Sequence, residues 1–160
     1  MEDLLRIAKE AEKILDTVIA VFQENDVPLP ERRFLAIGET SHDCEQLSVS
    51  FTSVGAGMPG DDFPSMQTCT TAAYNATFNI EIVRCTPVGK KTSGGAKYIP
   101  PTAVQLQDYG VPRLIDSWLL VKVAQRYNEG TLSKNSRYSV VAGEEQGGVQ
   151  PIILTLTSLV

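Results

Sequence analysis

Three segments of the chain alternate apolar and polar side chains with a period of two, which is typical of β-strands. Their apolar positions are Leu47, Val49 and Phe51, then Ala76, Phe78, Ile80 and Ile82, and finally Ile152, Leu154 and Leu156. Strict alternation predicts a sheet with one face on a core and the other face free of it. The second face is rich in Ser, Thr, Asn and Gln and poor in charge, so it suits either water or another subunit.

Five strands are predicted along the chain. The three alternating segments give strands over residues 46–54, 74–85 and 147–160, and shorter apolar runs give strands over residues 32–38 and 137–142. Glycine, proline and acidic residues separate these segments, as expected of turns and loops.

The N-terminal residues 2–24 are predicted to form a helix. A continuous apolar stripe at three- and four-residue spacing comprises Leu4, Ala8, Ala11, Leu15, Val18 and Phe22, widened by Leu5, Ile14 and Ile19. Asn25 and Asp26 end this helix, and Pro28 and Pro30 prevent it from restarting. A wide stripe of this kind indicates a helix that packs on one face of a sheet.

A second helical region is predicted over residues 102–128. Val111-Pro112 is expected to break it, giving a short turn followed by a longer helix that begins at Pro112. The buried side of that helix is predicted to consist of Leu114, Ile115, Trp118, Leu119 and Val121. For Trp118, core packing is favoured over a role as an anchor to a partner.

The order helix, three strands, helix, two strands predicts an α+β fold. We expect a single mixed or antiparallel sheet of four to five strands, with the N-terminal helix and the second helix packed on it. No domain boundary is visible, so residues 1–160 are interpreted as one domain. Loops 57–72 and 87–101 are longer than most loops of compact domains, which indicates that they have a function.

The composition narrows the classes of function. The chain has 160 residues and a net charge of -5, and 42% of its residues are hydrophobic. An acidic chain argues against a nucleic-acid binder that neutralises phosphates. No apolar run approaches the length of a membrane span, and no signal peptide is visible, so no membrane contact is expected. The three cysteines are expected to be reduced thiols in a cytosol.

The one histidine, His42, lies two residues before Cys44 and invites two chemical interpretations. A zinc site could use His42, Cys44, Cys69 and Cys85, but the close Cys–Cys spacing of such sites is missing. A Cys–His nucleophile pair would need a third, orienting group that the sequence does not specify. A turn histidine beside a half-buried cysteine is the favoured interpretation. No catalytic residue, metal ligand or cofactor is predicted, and no enzymatic activity is expected.

The chain resembles the tail terminator proteins of long-tailed bacteriophages, particularly those of actinobacteriophages. The likeness covers most of the chain and is weakest in the two long loops. It lies in Asp43-Cys44-Glu45-Gln46-Leu47, in Ile80-Glu81-Ile82-Val83-Arg84-Cys85, in Ile115-Asp116-Ser117-Trp118-Leu119-Leu120, and in Gly147-Gly148-Val149-Gln150 before the terminal strand. These are structural patterns and not catalytic signatures.

The resemblance implies a structural protein of the virion neck that assembles in the host cytoplasm as a homohexameric ring. Such a ring ends the polymerisation of the major tail tube protein and joins the tube to the head-side connector, or stopper, protein. DNA passes through its lumen without specific binding. The nearest alternative is a head-completion or stopper protein of the same connector. A small cytosolic enzyme using Cys44 and His42 and a monomeric binding domain remain further alternatives.

Contacts between subunits or between rings are assigned, as a hypothesis, to the two long loops. The first loop contains Asp61, Asp62 and Phe63, and the second contains Lys90 and Lys91. Their length and opposite charge motivate this assignment.

Overall fold

A computed structural model describes residues 2–56, 74–91, 98–130, 136–144 and 149–159 of the chain. Its elements are α1 (Glu2–Glu24), β1 (Arg32–Ile37), β2 (Gln46–Ala56), β3 (Tyr74–Cys85), β4 (Lys90–Lys91), β5 (Tyr98–Ile99), α2 (Ala103–Gly130), β6 (Arg137–Ala142) and β7 (Val149–Leu159). The two helices and the five longer strands occur in the predicted order. The predicted α+β fold is therefore confirmed.

The five longer strands form one mixed sheet in the order β1-β2-β3-β7-β6. β1 runs parallel to β2, and every other neighbouring pair in this sheet is antiparallel. Both helices pack on one face of the sheet, α1 over β2 and α2 over β6 and β7. β1 and β6 are the outermost strands in this order and form the two edges of the sheet.

The alternating positions divide between the two faces of the sheet as predicted. The apolar positions of β2, β3 and β7 lie in the core under the helices, with Phe51 at its margin. On the other face, polar side chains bond across the strands. Thr155 donates to Asn79 Oδ1 at 3.0 Å, and the hydroxyls of Thr77 and Thr157 are 3.2 Å apart. These cross-strand bonds satisfy polar groups that the helices do not cover.

A crossover segment, residues 38–45, covers part of the polar face. Because β1 and β2 are parallel over six residue pairs, the chain must return about 20 Å to begin β2. Eight extended residues span at most about 28 Å, so this segment crosses the sheet nearly straight and without a helix. Gly38 at one end and Glu45 at the other adopt left-handed φ angles, which make the two turns.

The second helix differs from the prediction because Pro112 does not break it. α2 is continuous from Ala103 to Gly130, with Pro112 inside it. Proline removes the helical hydrogen bond to the carbonyl of Asp108. Both residues are exposed, so this missing bond lies on the solvent side of the helix and not in the core. Arg113 donates to the Tyr109 hydroxyl at 2.6 Å and so bonds the two sides of the proline together.

The predicted loop 87–101 also differs from the expectation, because it contains regular structure. β4 and β5 pair as a two-stranded antiparallel ribbon, with Lys90 opposite Ile99 and Lys91 opposite Tyr98. These four residues are hereafter called the ribbon. Each strand of the ribbon has only two residues, which is too few for an alternation of apolar and polar side chains to be detected in the sequence.

Candidate functional site: apolar and charged assembly surfaces

One side of α2 presents an apolar stripe to solvent. The stripe consists of Val104, Val111, Leu114, Ile115 and Trp118, each between 40% and 73% exposed. Positions separated by three, four and seven residues lie on the same side of a helix, which makes the stripe continuous. The prediction that Leu114, Ile115 and Trp118 are buried is therefore wrong. Large apolar surfaces of this kind mark sites of interaction.

The opposite side of α2 is the one that enters the core. Its apolar members are Leu119, Leu120, Val123, Ala124 and Tyr127. Of the predicted buried residues only Leu119 belongs to this side, while Val121 is half-buried at its margin. α2 therefore has two apolar sides, and the first half of the helix contributes mainly to the exposed one.

A buried ion pair joins α2 to the end of β3. The carboxylate of Asp116 is fully buried and accepts two hydrogen bonds from Arg84, from Nε at 2.6 Å and from Nη2 at 2.9 Å. Arg84 Nη2 also donates to the Pro28 carbonyl at 3.0 Å, and Glu45 lies 3.5 Å from Nη1. The hydrogen bond to Asp116, against the opposing effect of burial, raises the pKa of Arg84 above its ordinary value.

An open cleft of about 780 Å³ lies beside this ion pair, between the start of α2 and the end of β3. Its lining includes the apolar side chains Val27, Pro28, Pro87, Tyr109, Pro112 and Ile115. Three carboxylates, those of Asp26, Glu45 and Asp108, also line it. Arg84 is the single cation among the described residues that line the cleft, and it already pairs with Asp116. We call this feature the acidic cleft, and Ile115 makes it continuous with the apolar stripe.

The sequence-predicted contact residues divide into two groups. Lys90 and Lys91 are exposed on the ribbon, which follows Thr86 and Pro87 of the acidic cleft along the chain. Asp61, Asp62 and Phe63 lie outside the described residues. The contact role of all five residues stays a prediction.

The crossover segment brings His42 and Thr40 to a buried carboxylate on the polar face. Glu81 Oε2 accepts a hydrogen bond from the Thr40 hydroxyl at 2.9 Å and lies 3.2 Å from His42 Nε2. The Thr40 hydroxyl is also 3.3 Å from that of Ser48, which is buried. These contacts explain how Glu81 is accommodated inside the fold, since a buried carboxylate needs hydrogen-bond donors. They give His42 a structural partner that the sequence did not specify.

Cys44 and Cys85 are joined by a disulfide, which differs from the expectation of reduced thiols. The bond attaches the end of the crossover segment to the end of β3. The physical reason is the strand register. Gln46 pairs with Val83 in the antiparallel β2–β3 ladder, and Cys44 lies two residues before Gln46 while Cys85 lies two residues after Val83, so the two cysteines come opposite each other. In this state Cys44 has no free thiol for the Cys–His nucleophile pair.

The described residues contain no group of three or more His, Cys, Asp and Glu side chains arranged to hold a metal ion. Of the four zinc ligands considered from the sequence, Cys44 and Cys85 bond to each other. His42 contacts Glu81, and Cys69 lies outside the described residues. The four residues therefore do not form a common site in the described part of the chain.

The buried Tyr127 of α2 connects this helix to α1 and to β7 through hydrogen bonds of its hydroxyl. Its hydroxyl donates to a Glu10 carboxylate oxygen and lies 3.1 Å from the Ser158 hydroxyl. Burial, and next the hydrogen bond to Glu10, raise the pKa of Tyr127 far above its ordinary value. The phenol therefore stays protonated in the folded state at a pH where the unfolded chain releases its proton.

We expect this tyrosine to weaken the fold at alkaline pH. Above pH ~10 the unfolded state binds fewer protons than the folded state, so the free energy of unfolding falls as pH rises, by at most about 1.4 kcal/mol per pH unit. Urea unfolding at pH 8 to 11 should show this slope in the wild type and a shallower slope in Tyr127→Phe. Tyr138→Phe, at an exposed site, is the control. Equal slopes in the wild type and Tyr127→Phe would contradict this account.

Sequence reasoning missed the Arg84–Asp116 pair and the residues of the acidic cleft. A signal for the pair existed, since each residue is a lone charge beside a run of apolar residues, and the two charges have opposite sign. The cleft had no such signal. Asp26, Glu45 and Asp108 come from three separate parts of the chain and are brought together only by the packing of α2 against the β3 end.

Both edges of the five-stranded sheet present apolar side chains to solvent. Leu35 and Ile37 are exposed on β1, and Tyr138 and Val141 are exposed on β6. Within the described residues, neither outer edge pairs with another strand. Open edges of this kind are available for pairing or packing with another chain.

Neither of the described helices is apolar over a stretch long enough to cross a bilayer. No family model matches the sequence, and no curated protein matches it significantly.

Proposed function

We propose that this chain is the subunit of a ring that ends the tail tube of a long-tailed bacteriophage and joins it to the head-side connector. In this role it is a structural protein of the virion and not an enzyme. Its partners are further copies of itself, the major tail tube protein and a connector or stopper protein. DNA passes through the lumen of the ring.

The observation that supports this proposal most is the apolar stripe of α2. Val111, Leu114 and Trp118 occupy successive turns of one helix face, and all three are exposed in the isolated subunit. A monomer gains nothing from such a face, whereas a subunit that associates buries it and gains hydrophobic free energy. Tryptophan is also a residue type enriched among the strongest contributors to protein interfaces.

A ring requires that the stripe meet a different surface on the neighbouring subunit. If the stripe of one copy packed against the same stripe of a second copy, the contact would be isologous and association would stop at a dimer. The open edges at β1 and β6 and the acidic cleft offer different surfaces for a head-to-tail contact. A head-to-tail contact closes into a ring when the rotation between subunits permits it.

The charge of the subunit agrees with passage of DNA through the lumen. The net charge of -5 disfavours retention of a phosphate backbone, which requires clustered cations. The exposed lysines Lys90 and Lys91 lie on the ribbon and are opposed by the more numerous acidic residues of the chain. A lumen lined by such subunits would repel DNA more than it would bind it.

The test is the mass of the protein in solution, measured by light scattering over a concentration series, with negative-stain imaging of the same sample. We expect rings of six subunits, or monomers that become rings when tail tube protein is added. The functional readout is the length of tail tubes polymerised with and without the protein, which should be limited when it is present.

Other outcomes separate the alternatives. Dimers as the final state would indicate an isologous contact and would overturn the ring. Rings of twelve would indicate another component of the head-to-tail connector. A monomer at every concentration that leaves tube polymerisation unchanged would overturn the proposal.

A further inference from the structure

The ribbon is a small element with little support from its own subunit. β4 and β5 contact each other more than they contact any other described element. An isolated two-stranded hairpin is only marginally stable in water. Lys90, Lys91, Tyr98 and Ile99 are all exposed. A ribbon that keeps this structure would gain stability from a second surface that covers it.

Each face of the ribbon combines one cation with one apolar side chain. Directly opposite residues in a strand pair project to the same face, so Lys90 shares a face with Ile99 and Lys91 shares the other face with Tyr98. The complementary surface must therefore be apolar at its floor and acidic at its rim.

The acidic cleft has this character. Its walls include Pro112 and Ile115 of α2, and its carboxylates are those of Asp26, Glu45 and Asp108. Among the described residues, the carboxylates of Asp26 and Asp108 have no hydrogen-bond or ion-pair partner, whereas Glu45 lies 3.5 Å from Arg84 Nη1. Opposite charge on the two surfaces favours their encounter and sets the register of the contact.

We propose that the ribbon of one subunit lies in the acidic cleft of the neighbouring copy of this chain. Lys90 or Lys91 then faces the carboxylates at the rim, and Ile99 or Tyr98 covers the apolar wall at Ile115. This inference rests on the proposed ring and names the contact that builds it.

The subunit's own ribbon does not occupy its own cleft. Thr86 and Pro87, which lie a few residues before the ribbon, line the cleft, but Lys90, Lys91, Tyr98 and Ile99 do not. The four ribbon residues therefore lie outside the lining of the cleft that their own chain borders. Because the ribbon and the cleft are different surfaces, a contact between copies is heterologous, and its repetition generates a ring or an open chain.

The sharpest test uses two complementary charge variants. In the first, Lys90→Glu/Lys91→Glu makes the ribbon acidic. In the second, Asp26→Asn/Asp108→Lys removes the negative excess of the cleft. Asn is chosen at position 26 because Asp26 has a left-handed φ of 54°, which Asn tolerates. The control is Arg6→Glu/Lys9→Glu, which makes the same change in net charge at two exposed positions of α1.

We expect the acidic-ribbon variant alone to assemble only at a protein concentration about tenfold higher than the wild type needs, or more. The control should assemble like the wild type. An equimolar mixture of the acidic-ribbon variant and the cleft variant should recover assembly. In the mixture, each acidic ribbon can meet a cleft that has lost its negative excess, and each unchanged ribbon can meet an unchanged cleft. Thermal melts should show that every variant is folded before mixing.

The outcomes distinguish this contact from the proposed function. If the wild type forms rings and the acidic-ribbon variant forms them equally well, the ribbon contact is wrong and the ring stands. If the mixture fails to recover assembly, the ribbon does not contact the cleft of another copy. If the mixture recovers assembly as open chains, the contact stands and the tail-terminating function does not. A wild type that stays monomeric even with tube protein overturns both.

Discussion

Replacing Trp118 with glutamate is expected to leave the subunit folded and to abolish its assembly. The indole is 61% exposed, so its removal takes little from the core of the subunit. In an assembly that covers the apolar stripe, the new carboxylate would be buried without a partner. We expect the free energy of unfolding of the monomer to change by no more than about 0.5 kcal/mol. The dissociation constant of the assembly should rise by about 100-fold or more.

Two control variants make this result specific. Gln125→Glu adds the same charge at an exposed position of α2 beyond the apolar stripe and should leave assembly unchanged. Leu120→Ala, on the buried side of the same helix, should lower the free energy of unfolding by about 2–5 kcal/mol. Light scattering and urea unfolding measure the two effects separately. Normal assembly by Trp118→Glu, or a stability loss as large as that of Leu120→Ala, would contradict the assignment of Trp118 to an interface.

Replacing Asp116 with alanine is expected to destabilise the subunit by about 3–5 kcal/mol, because it leaves the Arg84 guanidinium half-buried without its counter-charge. The carboxylate accepts two short hydrogen bonds from Arg84, and its own exposure is nil. The loss is a large part of the 5–15 kcal/mol that stabilises a typical domain. The variant should therefore unfold at a clearly lower urea concentration than the wild type.

A double-mutant cycle isolates the pair. Arg84→Met/Asp116→Leu removes both charges and should recover much of the stability that Asp116→Ala loses, since no unpaired charge remains. Asp108→Ala, at an exposed acidic position of the same helix, should change stability by less than about 0.5 kcal/mol. A loss below 1 kcal/mol for Asp116→Ala would show that the ion pair does not stabilise the fold.

The strands were predictable because their signal is local. Alternation over residues 74–85 and a short apolar run over residues 137–142 gave the bounds that β3 and β6 have in the structure. β2 extends two residues beyond its predicted end, past an irregularity in the β2–β3 register between Phe51 and Ser53. The prediction ended at residue 54 because Gly55 and the glycine- and proline-rich residues after it read as a loop.

The buried side of α2 was not predictable from the helix itself. Leu114 and Trp118 on one side and Leu120 and Val123 on the other give apolar residues around most of the helix. A periodic pattern selects a face only when the opposite face is polar. The choice is made by contacts that the helix sequence does not contain, namely its packing on α1, β6 and β7 and the pairing of Asp116 with Arg84.

The sequence alone determined the order of the elements, the α+β class and the division of the sheet into an apolar and a polar face. Each follows from side chains that are neighbours along the chain or one turn apart. The tertiary structure decided the parallel pairing of β1 with β2, the crossover segment over Glu81, the Cys44–Cys85 bond and the acidic cleft. These depend on strand register and on contacts between residues distant in sequence. Such contacts form only when the whole chain packs, because each of them is stabilised by residues from several helices and strands at once.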